Sequence, residues 1–166
     1  MAIGYCYFRK LGDFMEKIKE FKGIKGHLEA FKDEVIDAKR IAFAGVPGVC
    51  TPFALLFAYS IREKETIFIP ITDINKARKM KITDYGLELG EKTNANADVL
   101  VLLGGLSIPH IGSNPSDINE LVENVLIDGG KVIGISYMDM FRKADWDSKV
   151  DFDCIINADL EGYVLK

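Results

Sequence analysis

Two glycine-rich segments, and the titratable side chains beside them, hold most of the chemistry this sequence offers. The first is Gly45-Val46-Pro47-Gly48-Val49-Cys50-Thr51, and the second runs from Gly104 and Gly105 through Ser107 and His110 to Ser113. Gly45 and Gly48 would let the backbone approach a ligand, and Thr51 would offer a hydroxyl beside the free amides of a following helix. A helix start of that kind favours a phosphate or a carboxylate. The alternative is a tight strand-to-helix turn with no ligand. Cys50 would stand at the same helix N-terminus, where the dipole lowers a thiol's pKa and raises its thiolate fraction. Most free cysteines are instead small buried packing residues. His110, in the second segment, has the chemistry of a general base near neutral pH. With Cys50 it would make a nucleophile–base pair drawn from separate loops. Its other reading is a hydrogen bond that closes its own loop.

Asp73 and Asp139 follow two further apolar runs. Acids at such positions hold a ribose hydroxyl, a metal-bound water or a helix end, and the capping role is favoured for both. Ser107, Ser136 and Tyr137 are expected wall residues. Met138, Met140 and Phe141 would line an apolar pocket for an aromatic ring or meet another subunit. No metal site is expected, because the three cysteines (Cys6, Cys50, Cys154) and two histidines (His27, His110) share no ligand spacing. The segments also lack Gly-x-Gly-x-x-Gly and a Walker lysine.

Those residues need elements to position them. Phe14, Met15, Ile18 and Phe21 recur at helical spacing from Asp13 to Phe21, and Gly23 and Gly26 then interrupt. A second helix is predicted from His27 to Ala38, with 1–38 as a helical segment packed on the rest of a single domain spanning 1–166. Arg40 to Ala44 reads as a strand, with Thr51 as cap and Pro52 at the first position of an apolar helix running to Arg62. Thr66 to Ile71 is a second strand. Asn75 to Lys81 and Thr83 to Lys92 are predicted to be helical. Asp98 to Leu103 is an uninterrupted apolar run, the mark of a strand covered on both faces. Pro115 opens a helix towards Gly129, followed by strands at Lys131–Tyr137 and Phe152–Ile156, with Gly162–Leu165 as a short edge strand. Strands alternating with helices predict a three-layer α/β/α sandwich, Rossmann- or flavodoxin-like, with a mostly parallel sheet of five or six strands. If its strands are ordered 2-1-3-4-5, the two glycine loops flank the crevice where the chain reverses direction.

The 166 residues carry 21 basic and 25 acidic side chains, 48% apolar residues and a net charge of −4. That acidity argues against nucleic acid as a partner. Apolar stretches of about ten residues are half of a membrane span. The N-terminus lacks the pattern of a signal peptide and the thiols read as reduced, so a cytoplasmic setting is expected.

Two resemblances accompany these residues. Gly45 to Phe53 resembles the peroxiredoxin active-site segment Pro-x-x-x-Thr-x-x-Cys, with Pro47 and Thr51 in place. Ala54 stands where that family's peroxide-attacking cysteine belongs, and Cys50 lies on the other side of the threonine. Taken whole, the order of segments resembles an uncharacterised family of conserved proteins from methanogenic archaea, carried by Ala44–Pro52 and Leu103–Pro109. That resemblance implies an α/β fold and supplies no activity. The expected function is therefore small-molecule binding, with a nucleotide, phosphate ester or carboxylate held by Gly45, Gly48, Thr51, Asp73, Gly104, Gly105, Ser107 and Asp139. The alternatives are a thiol-dependent enzyme using Cys50 and His110, and an oligomeric scaffold without ligand. The residues name no cofactor, and a homo-oligomer stays open.

Overall fold

Aliphatic runs bounded by glycine and proline pair into one sheet in the computed structural model, which describes residues 15–166. Its strands are β1 (Arg40–Gly45), β2 (Glu65–Pro70), β3 (Arg78–Thr83), β4 (Gly86–Lys92), β5 (Ala97–Leu103), β6 (Leu126–Tyr137) and β7 (Cys154–Ala158). The helices are α1 (Gly23–Glu34), α2 (Thr51–Ser60), α3 (Pro115–Val125) and the single turn α4 (Met140–Lys143). The result is an α/β fold whose strands lie in the order β4-β3-β2-β1-β5-β6-β7. From β2 to β7 all neighbours are parallel, while β3 and β4 add an antiparallel hairpin at one edge.

That hairpin corrects the sequence reading, which had helices there and five or six strands in all. Arg78 to Thr83 alternates rather than following a helical period. Met80 and Ile82 pair with Leu89 and Leu87 on one face, and Lys81 pairs with Glu88 on the other. Gly86, at φ +123, takes a turn conformation that other residues rarely adopt. Cross-strand pairing of this kind overrides the good helix propensity of lysine and methionine.

Other boundaries moved as well. Of the helix expected at Asp13–Phe21, Asp13 and Phe14 lie outside the described residues, as does Cys6, and residues 15–22 are not helical. Met15 and Phe21 pack against the core while Ile18 is exposed, and Phe21 stacks on His27 with ring centroids 5.3 Å apart. Gly23 and Gly26 do not interrupt a helix but belong to α1, where Gly26 makes room for the Phe21 ring. Gly162–Leu165 is not a strand. After β7 the Leu160 amide contacts Met138 Sδ at 3.3 Å, which leads the chain over the ends of the strands instead of along an edge.

Side-chain alternation along β6 divides the core in two. Tyr137 faces an aromatic group of His27, Phe53 and Phe57 on the side of α1 and α2. Gly134, of opposite parity, faces Phe141 and Phe152. A Cβ at Gly134 would lie 2.9–3.0 Å from those two rings, so the glycine is what lets them reach the sheet.

Candidate functional site

In a parallel sheet each strand delivers its following loop to the same edge. The chain leaves β1 towards β2 in one direction and β5 towards β6 in the other, so the loops after β1 and β5 diverge at that edge. These are the two glycine-rich segments. The part of the expected crevice between Gly45 and Gly105 is not open, because Cys50 fills it. A Cβ at Gly105 would collide with Cys50 Sγ, and one at Gly45 would lie 2.5 Å from Cys50 Cβ. Both glycines therefore make space for a side chain of the same molecule. Cys50 is 3% exposed, and burial pushes its thiol pKa up. Desolvation outweighs the lowering by backbone hydrogen bonds with Val46 and Gly105, which favours the packing reading of this thiol over the reactive one.

One strand further along lies a partly open cavity of about 210 Å³. The sheet contributes Leu103, Ile135 and Tyr137, and α2 with its approach contributes Val49, Cys50 and Phe53. Gly104, Gly105 and Ile108 come from the loop after β5, and Met140 and Leu160 from the segments after β6 and β7. None of these side chains is charged. Phe53 and Tyr137 meet with ring centroids 4.9 Å apart. Gly104 leaves room for its neighbours: a Cβ there would meet Ser136 Cβ at 3.0 Å and Met140 Sδ at 3.2 Å.

Tyr137 is backed by His27, which is fully buried, with ring centroids 5.1 Å apart in an edge-on arrangement. His27 Nε2 donates to the Ile156 carbonyl at 3.2 Å, which leaves Nδ1 as an acceptor with no partner in the structure. Burial holds this imidazole below its ordinary pKa. The Tyr137 hydroxyl is likewise buried without a hydrogen-bond partner, and burial raises its pKa. Buried polar groups are rarely left so.

The remaining expected site residues lie elsewhere. His110 is exposed, at φ +69, and does not line the cavity with Cys50. Thr51 Oγ1 accepts from the Gly48 amide at 3.2 Å and so closes its own turn, with Gly48 at φ +80. Ser107 Oγ donates to the Gly104 carbonyl at 2.7 Å. Asp73 accepts from the Asn75 amide at 3.1 Å and pairs with Lys76 at 3.0 Å, and that lysine holds its carboxyl below the usual range. Asp73 and Lys76 line an open groove of about 460 Å³ beside Pro47 and Pro70. Asp139 precedes α4, where its amide donates to Asn157 Oδ1 at 2.8 Å and its carboxylate lies 3.7 Å from Arg142. Asn157 Oδ1 also accepts from Ser136 Oγ at 3.0 Å. Among the described residues no three His, Cys, Asp or Glu side chains gather as a metal site.

Of the expected residues, then, Gly45, Cys50, Gly104 and Gly105 come together, with Met140 and Tyr137 beside them. Val49, Phe53, Ile108 and Leu160 were not expected at a site. A trace of the first two was legible: α2 contains no charged residue from Thr51 to Ser60, although its Phe53 side faces outward.

Comparison with known proteins adds kinship. A family described as "Uncharacterized protein conserved in archaea (DUF2124)" matches residues 22–161. An uncharacterized protein of Methanothermobacter thermautotrophicus is 62% identical over 152 residues, covering 92% of this chain and 99% of its own. One from Methanocaldococcus jannaschii is 41% identical over 153 residues, covering 89% and 94%. A crystal structure of a protein of unknown function from Methanothermobacter thermautotrophicus superposes with a TM-score of 0.91 at 61% identity, covering 93% of this chain and 99% of that one. No helix among the described residues is long and apolar enough to cross a membrane.

Proposed function

Because this chain belongs to the archaeal DUF2124 family, we propose from its own geometry that it binds a small molecule through an uncharged aromatic or heteroaromatic ring. The observation that carries this reading is the partly open apolar cavity, walled by four separate stretches of chain at the C-terminal edge of the sheet. We read the fold as a doubly wound α/β/α sandwich. Its parallel strands β2-β1-β5-β6-β7 follow the 2-1-3-4-5 order in which ligands settle at this edge.

Magnitudes select the ligand class. At about 210 Å³ the cavity is smaller than the roughly 300–1,000 Å³ of drug-sized sites, so it suits one compact ring. A ring burying about 150 Å² of apolar surface gains roughly 4 kcal/mol, which alone corresponds to about millimolar affinity. Tighter binding needs a polar contact at the mouth, because the Tyr137 hydroxyl is buried away from this space. An anion inside would lose its hydration with no cation in return. A nucleotide, phosphate ester or carboxylate therefore fits only with its charged group left at the mouth. The thiol-enzyme alternative draws no support, with Cys50 buried and His110 on the surface.

The test is ligand-observed NMR with indole, adenine and benzoate, alongside native mass spectrometry of the protein as purified. Indole or adenine should bind, benzoate at least tenfold more weakly. Ile108→Trp, which puts a larger side chain at the wall, should abolish binding while the circular dichroism stays unchanged. Tighter binding of benzoate, or binding that survives Ile108→Trp, would overturn the reading.

A further inference from the structure

Helix α2 is apolar on every side, a pattern expected of a fully buried helix. Ala54, Phe57 and Ala58 do bury its inner face. Leu56 and Tyr59 point the other way, 36% and 45% exposed, and Phe53 lies at the flank of that face, its ring against Tyr137 but still 37% exposed. The β3–β4 hairpin extends this surface. Met80 and Ile82, with their partners Leu87 and Leu89, share one hairpin face, and Lys79 and Lys81 alternate onto the other.

The pairing register identifies which face that is. Phe43, Phe68 and Arg78 stand side by side across β1, β2 and β3, and Met80 has the parity of Arg78. Phe43 meets Phe31 of α1, and Phe31 meets Phe57 of α2. Met80, Ile82, Leu87 and Leu89 are therefore on the α2 side, and α2 packs against β4. Ile82 and Leu89 are about half exposed there, with Tyr85 almost fully exposed at the hairpin tip.

We propose that this surface is a homodimer interface, in which α2 of one copy packs antiparallel on α2 of a second copy. The stripe is symmetric about Leu56. A two-fold axis there sets Leu56 on its own counterpart and Phe53 on Tyr59 of the other copy, as a closed isologous contact requires. Taking about 200 Å² for each whole side chain, the six exposed residues present on the order of 600 Å² per copy. Two copies then bury about 1,200 Å², which reaches the lower bound of specific interfaces. The composition points to a copy of the same surface rather than a charged partner. Helix α2 offers no ionic group, and Arg62 lies at its end over the Tyr59 ring, 5.0 Å from the centroid.

Light scattering coupled to size-exclusion chromatography at about 100 μM protein tests this. The wild type should elute at twice the chain mass. Leu56→Glu should halve that mass with circular dichroism unchanged, and Ile36→Glu, at an exposed residue just past α1, should leave it intact. A monomeric wild type, or a folded Leu56→Glu protein that stays dimeric, overturns the proposal. If Leu56→Glu does not fold, Leu56→Cys decides. Under mild oxidation it should give a disulfide-linked dimer that Ile36→Cys does not, and absence of that cross-link overturns the proposal as well.

Discussion

Two neighbouring spaces at the C-terminal edge of the sheet have opposite fates. The crevice between the loops after β1 and β5 is where strand order alone places a ligand, and there Gly45 and Gly105 close around the Cys50 side chain. The cavity beside it, over Leu103, Ile135 and Tyr137, is flanked by Phe53, Met140 and Leu160 but not filled. The first has a buried thiol held against the backbone of Val46 and Gly105. The second has apolar walls, with a partnerless phenol hydroxyl buried away from the space and a buried histidine behind that phenol. Topology says where loops must diverge. The side chains that reach in decide whether the divergence stays open.

The most damaging way to break this comparison is to overfill the closed crevice. Gly105→Val should cost about 3 kcal/mol, since its new side chain collides with Cys50, and should lower Tm by roughly 6–12 °C. The milder Gly105→Ala sharpens the point in a double-mutant cycle. Its cost should fall by at least 1 kcal/mol in a Cys50→Ala background, measured by urea unfolding. Additive costs would mean that Cys50 is not what the glycine accommodates.

Next in size is Asn157→Ala, which removes the acceptor for both the Asp139 amide and Ser136 Oγ. A loss of about 1–2 kcal/mol is expected. Because these bonds hold the approach to Met140, ring affinity should weaken too. Unchanged affinity with reduced stability would separate the turn from the cavity.

A smaller effect concerns pH. The folded state holds His27 below its ordinary value near 6.5, so the unfolded chain takes up the proton first as pH falls. The stability of the neutral ring is fully present above about pH 6.5 and is lost as pH drops through the folded-state value. Tm should therefore decline from pH 7 to pH 5, and His27→Gln should flatten that decline. An equal slope in both proteins would remove His27 from the account.

The least perturbing test is alkylation. Burial raises Cys50 and pushes Cys154 up to about 12. Both should therefore react with iodoacetamide far more slowly in the folded protein than in urea, as read by peptide mass spectrometry. Rapid labelling of folded Cys50 would reopen the crevice.

Much of the parallel sheet could be read directly. Arg40 to Ala44, Asp98 to Leu103 and Lys131 to Tyr137 are apolar runs ending at glycines or a turn, and each lies within a strand. The β3–β4 hairpin was not legible, because its alternation is short and lysine-rich and only the pairing of Met80 with Leu89 and Ile82 with Leu87 makes it a sheet. At the site, Cys50, Gly104 and Gly105 were legible by type and position, and Met140 by its apolar neighbours. Leu160 was not, since a leucine in an irregular tail carries no local mark of the cavity it reaches.

By itself the sequence determined the parallel strands with the glycine loops that follow β1 and β5, and the absence of phosphate-cradling signatures. Those depend on local periodicity and backbone freedom, which a few adjacent residues specify. Only the tertiary structure decided that Gly45 and Gly105 serve Cys50 rather than a ligand, that His110, Asp73 and Asp139 stand apart from the cavity, and that Tyr137 faces it. A glycine has the same local signature whether it makes room for a phosphate or for a thiol 55 residues away in the chain. What fills the space beside it is set by long-range packing.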